Sequence, residues 1–96
     1  MDRPIAAAVE QRRLLKLAYT AGNRVLEPHV YGLDGNRREL LRCYQLAGES
    51  ASRERAGWKL LRGGDIASVE VLDVSFVLRA GYNPDDPTIR EVLARI

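Results

Sequence analysis

A chain of 96 residues is large enough for one modest core and too small for two. With 46% hydrophobic and 29% charged residues and no low-complexity stretch, it has the balance of a folded domain, not of a disordered segment. A net charge of +2 leaves any nucleic-acid role to the clustering of cations, and one Cys with one His can build neither an internal disulfide nor a zinc site, so no metal or cofactor is expected.

The beginning, "MDRPIAAAVEQRR", carries charge on both sides of a short apolar run and has no signal-peptide core. No apolar run approaches a membrane span, so a reducing, cytoplasmic setting without membrane contact is expected. Asp2, Pro4 and "IAAAVEQRR" predict an N-capped helix that docks Ile5, Ala8 and Val9. Leu15, Leu17 and Tyr19 then alternate with Lys16 and Ala18 as in a strand, and "AGN" supplies a turn.

A second strand runs from about Arg24 towards Tyr31. Pro28 lacks an N–H for the ladder, which predicts an edge strand or a bulge there. "LDGN", Leu33 to Asn36, signals a tight hairpin turn. The third strand places Arg38, Leu40, Arg42 and Tyr44 on one face, and Arg37, Glu39, Leu41, Cys43 and Gln45 on the other.

The polar stretch Gly48 to Gly57 reads as a mobile loop. After it come "WKLLR", a break at Gly63 and Gly64, and "DIASVEVLDVSF" with strand alternation. Near the end, Asp86 as N-cap, Pro87 at the first position, and Ile89, Val92, Leu93 and Ile96 at helical spacing predict a closing helix. The expected fold is one mainly β domain over 1–96: a small five-stranded barrel over about 14–77, preceded by a short helix and followed by a helix over about 86–96.

The ordered features "QRRLLKLAY", "EPHVYGL", "GNRRELLRCYQ", "WKLLRGGDI" and "VEVLDVSF" resemble the WYL domain family, a bacterial regulatory module. The resemblance covers roughly Ile5 to Phe76 and implies an Sm-like or SH3-like barrel that senses ligands, with nucleotides and nucleic acid the leading candidates. Many members join it to a winged helix-turn-helix. The dozen residues before the first strand cannot make one, so the resemblance implies that a DNA-reading part is either supplied by a separate DNA-binding regulator or absent. At the place of the family's Trp-Tyr-Leu triplet this chain has Arg38-Glu39-Leu40, which removes the aromatic pair that could stack on a base.

Two arginines on one strand face, Arg38 and Arg42, can converge on an anion, and Tyr44 continues that face. Lys59 and Arg62 stand where the family has an Arg after its loop. His29 is suited to contact a base or to change charge near neutral pH. Trp58 reads as core, and Cys43 as a small buried hydrophobe.

No Ser or Cys lies beside the one His in sequence, and "RGGD" is too short for a phosphate loop, so no enzyme is expected. The function expected is a non-catalytic regulatory or ligand-sensing module in transcriptional or defence-related regulation. It would bind a nucleotide or single-stranded nucleic acid through Arg42, Arg38, Lys59, Arg62, His29 and Tyr44. The alternative is a protein-interaction or dimerisation module whose degenerate Arg38-Glu39 site no longer binds ligand, paired through the closing helix or an edge at Pro28.

Overall fold

The computed structural model describes residues 1–20, 22–48 and 56–96. Helix α1, Arg3–Gln11, is followed by strands β1 (Arg13–Tyr19), β2 (Gly22–Leu33), β3 (Glu39–Gly48), β4 (Gly57–Arg62), β5 (Ser68–Ser75) and β6 (Glu91–Arg95), with a 3-10 turn at Gly63–Asp65. The six strands form one antiparallel sheet in the order β4-β3-β2-β1-β5, and β6 pairs with β2. The polar stretch between Gly48 and Gly57 falls mostly outside the described residues, as does Ala21 of the first turn.

Helix α1 starts as its sequence dictates. Asp2 Oδ1 accepts the Ile5 N–H at 3.1 Å, and the Asp2 N–H donates to the Tyr31 hydroxyl at 2.8 Å, tying the cap to β2. The helix ends on Arg12, whose left-handed φ of 54° returns its N–H to Ala8 and Val9. Ile5, Ala8 and Val9 then pack with Leu15, Leu17, Leu26, Tyr31, Leu41 and Cys43 as the inner core. Burying one such aliphatic side chain is worth about 1.5–3 kcal/mol.

Strand β2 is the spine. Its first half pairs with β1, its second half with β6, and β3 runs along the whole of its other side. Pro28 lies in this central strand, and the β2–β3 register shifts between Pro28 and Val30, so the missing N–H is absorbed by a bulge. The bulge has a second effect. Pro28 pairs with Cys43 on the inner face, Val30 pairs with Arg42 on the outer one, and His29 is the inserted residue between them.

The strands do not close into the expected barrel. β4 and β5 remain at opposite ends of the strand order, and the Tyr19 hydroxyl accepts the Arg62 N–H at 2.9 Å, a side-chain bridge between β1 and β4. The expected C-terminal helix is also absent: residues 91–95 are strand β6, laid on the open edge of β2 at Val30–Leu33. Unpaired N–H and C=O groups on half of a central strand outweigh a weak local preference, and Ile89 and Val92 are β-branched. Gly32 admits this pairing closely, since a Cβ there would lie 2.2 Å from the Glu91 carbonyl oxygen.

Residues 76–90 join β5 to β6 without regular structure and form a strap over the outer face of the sheet. Its Ile89 is buried against Val30 and Leu40, and Leu60 and the strap's Tyr82 pack against them as a second, smaller core. Both faces of β2 are therefore covered, and Leu26–Gly32 is buried without interruption.

Candidate functional site

The β3–β4 ribbon carries most of the residues singled out by sequence. Register places Tyr44 opposite Trp58, Arg42 opposite Leu60 and Leu40 opposite Arg62, all on the outer face. Lys59 is the partner of Cys43 and so belongs to the inner face, away from the other candidates. The set is divided into three environments.

The first is a sealed polar knot. His29 is fully buried, its ring 4.8 Å from Trp58 in an edge-on arrangement, 5.3 Å from Phe76 and 5.3 Å from Tyr82. Its Nδ1 lies 2.9 Å from the Glu27 carbonyl oxygen, an acceptor only, so Nδ1 carries the proton; Nε2 then accepts the Arg79 N–H at 3.2 Å. Burial depresses the His29 pKa below 6.5, partly offset by the Glu27 carbonyl and charge and reinforced by the Arg79 charge. His29 is thus a neutral anchor for the strap, with no exposed surface.

Around it, Arg79 forks onto Glu27, Nε to Oε1 at 3.0 Å and Nη2 to Oε2 at 3.0 Å, and its guanidinium lies 4.0 Å over the Tyr44 ring. Tyr44 is consumed in this contact and in an edge-on contact with Trp58 at 5.6 Å. Sequence reasoning missed Arg79 altogether. The segment "FVLRAGYN" has no periodicity, and its partners lie about fifty residues away in the chain.

The second environment is a cleft of about 320 Å³ between β3–β4 and the strap, lined by Arg42, Trp58, Gly81, Asn83, Asp86 and Thr88 together with Pro87. Arg42 Nε donates to Asp86 Oδ2 at 2.6 Å, and the Asp86 side chain is 8% exposed. Burial pushes the Asp86 carboxyl up, but the Arg42 and Thr88 hydrogen bonds and the Arg42 charge prevail and hold it below its usual value. Asp86 also accepts the Thr88 N–H at 3.0 Å, an Asx turn in place of the expected helix cap. Arg42 is therefore a neutralised clamp on the strap.

The third environment is a groove of about 380 Å³ at the β2–β3 turn, where Asp34, Arg37, Arg38, Glu39, Arg62 and Asp65 meet. The turn is a three-residue loop. Asp34 exchanges backbone hydrogen bonds with Arg37 and Arg38, and Arg37 adopts a left-handed φ of 60°. This geometry brings Arg37 to the groove beside Arg38, whereas strict alternation puts it on the opposite face. Asp34 Oδ1 accepts the N–H groups of Asn36 and Arg38. The Arg38 N–H, the largest influence, outweighs desolvation, and with help from the Asn36 N–H and the charges of Arg38 and Arg62 it holds the carboxyl below the usual range.

Among the described residues, the ion pairs are Arg13–Asp73, Arg42–Asp86 and Arg79–Glu27. Arg37, Arg38 and Arg62 take part in none of them and are exposed. On the inner face, Arg24 is 4% exposed, donates to Gln45 Oε1 at 3.2 Å and lies 4.6 Å over the Tyr19 ring, while its Nε has no partner among the described residues. No group of three or more metal-ligating side chains occurs among the described residues.

No helix among the described residues is long and apolar enough to cross a membrane. No protein-family model, curated protein or solved structure matches the chain.

Proposed function

We propose that this protein is a non-catalytic, ligand-sensing regulatory module whose ligand carries phosphate, a nucleotide or a single-stranded nucleic acid, held in the groove of Arg38 and Arg62 with Arg37. One observation carries the reading: three exposed guanidiniums line one groove, and none is within ion-pair distance of a carboxylate among the described residues. Planar forks of this kind match phosphate oxygens in a bidentate manner. Asp34, Glu39 and Asp65 share the groove, so attraction rests on short-range contacts and not on a long-range field.

The resemblance to WYL domains, with their Sm-like or SH3-like form, supports a role in transcriptional or defence-related regulation beside a separate DNA-binding protein. Sealing of the one His away from solvent supports the non-catalytic reading. The test is fluorescence anisotropy of a single-stranded oligonucleotide against salt. Changing Arg38 and Arg62 together to Ala should weaken binding at least tenfold and flatten the salt dependence by roughly 0.7 in slope for each phosphate left without its cation. Undiminished binding by that double variant, or none by the wild type at low salt, defeats the reading.

A second reading, homodimerisation, is favoured by a surface other than the expected closing helix. Val74, Val77 and Leu78 are 52%, 81% and 45% exposed in one run at the end of β5 and the start of the strap. Light scattering that finds the same monomer for wild type and Val77→Asp would remove it.

A further inference from the structure

The Trp58 cleft has a polarity of its own. Arg42 gives Nε to Asp86, while its two terminal amino groups have no partner among the described residues; Asn83 accepts the Asp85 N–H on Oδ1 at 3.0 Å, while its amide N–H groups have none there. The Trp58 indole N–H likewise has no acceptor among them, and both Asp86 oxygens already accept hydrogen bonds. The polar groups of these side chains that have no partner are donors, while the Thr88 hydroxyl, which gives its proton to Asp86, keeps its lone pairs at the cleft wall.

Charge decides the class of ligand further. Arg42 and Asp86 cancel within the lining, so a ligand's net charge gains little and a second carboxylate would sit against Asp86. Shape decides the rest. Trp58 is gripped edge-on by His29 and Tyr44, which fixes the indole as a wall, and Gly81, at φ +90°, lets the strap pass where a Cβ would lie 3.1 Å from the indole nitrogen. A volume of about 320 Å³ lies at the small end of ligand clefts and suits one or two rings.

We infer that this cleft binds a neutral, planar ring bearing carbonyl acceptors, of the oxopyrimidine or oxopurine class, between Trp58 and the strap. The ring stacks on or abuts the indole while its carbonyl oxygens take hydrogen bonds from the Asn83 amide and the free amino groups of Arg42. The site uses none of the groove arginines, and either site stands without the other.

The chain has a single Trp, so quenching of Trp58 fluorescence reads the cleft directly. Uracil is the probe, and orotate, the same ring with a carboxylate, is the charged comparison. Uracil should quench saturably and bind more tightly than orotate. Asn83→Asp keeps the acceptor for the Asp85 N–H and removes the donors; it should weaken uracil roughly fivefold or more, with an unchanged thermal midpoint showing that the fold is retained. Arg38→Ala with Arg62→Ala should leave uracil binding as it is, which separates failure of this site from failure of the groove. Absence of saturable quenching, tighter binding of orotate, or indifference to Asn83→Asp overturns the inference.

Discussion

The backbone N–H of Arg79 donates to Nε2 of His29 at 3.2 Å, across fifty positions of sequence. The ring's other nitrogen is committed to the Glu27 carbonyl, and Glu27 in turn holds the Arg79 side chain. Strap and spine are thus joined by a closed circuit through one neutral imidazole. Protonating Nε2 would set its new N–H against the Arg79 N–H and a cation beside the Arg79 guanidinium.

Stability should therefore fall on mild acidification. The folded-state pKa of His29 is depressed, chiefly by burial, below 6.5. Above that value both states hold the ring neutral and the contribution is complete. As pH falls below it the unfolded chain takes up a proton that the folded chain resists, and stability is lost at up to about 1.4 kcal/mol per pH unit towards the folded value. Urea midpoints from about pH 7.5 to about pH 5 should show this decline, and His29→Gln should lack most of it. The groups facing the ring are Glu27, Arg79, Trp58, Phe76 and Tyr82, so a wild type no more acid-sensitive than the variant would refute the circuit.

How much of this was legible in the sequence varies by element. Alternation in Leu15–Tyr19 and in Leu41, Cys43 and Gln45 reports which face is buried, because each of these strands turns one face to the inner core. Pro28 marks its own bulge by lacking a donor. The last eleven residues mislead, since Ile89, Val92, Leu93 and Ile96 fit a helix while the free edge of β2, invisible locally, takes Glu91–Arg95 as a strand and leaves Ile89 in the outer core. Arg38 and Arg62 were legible as cations, but their convergence with Arg37 depends on a left-handed turn residue that alternation does not encode.

Arg42 separates a clamp on the strap from a contact to the phosphate ligand of the groove. Arg42→Met would leave the Asp86 carboxylate, 8% exposed, without its cation, at a cost of about 1.5–3 kcal/mol. Asp86→Asn should cost stability too, because its one carbonyl oxygen replaces only one of the two accepting oxygens and its NH2 is set against either the Arg42 Nε–H or the Thr88 N–H. Oligonucleotide binding at the groove should survive both changes under conditions where the variants stay folded. Denaturant melts with anisotropy on the same samples check this, and a large loss of binding with intact stability would make Arg42 a contact of the groove's phosphate ligand as well.

Arg37 holds a left-handed conformation in which a β-carbon is strained, at the tip of the groove it lines. Arg37→Gly should raise stability by about 1 kcal/mol while weakening oligonucleotide binding severalfold. Opposite signs in the two measurements would mean that the turn keeps an unfavourable residue for its charge. Arg12→Gly, at the left-handed end of α1, is the control: it should stabilise similarly and leave binding unchanged.

Cys43 lies at the centre of the inner core with no exposed surface, its Sγ 3.9 Å from the Lys59 carbonyl oxygen. Burial pushes its pKa up to about 12, even though Arg24, Arg42 and Lys59 favour the thiolate. A thiol reagent should find it inert in the native state and react only through opening of the sheet. The labelling rate in increasing urea should then track the global unfolding transition, so this one thiol reports when β2, β3 and β4 part. Rapid labelling in the absence of denaturant, at a rate comparable to a free thiol, would show that the inner core opens locally at the β3–β4 ribbon.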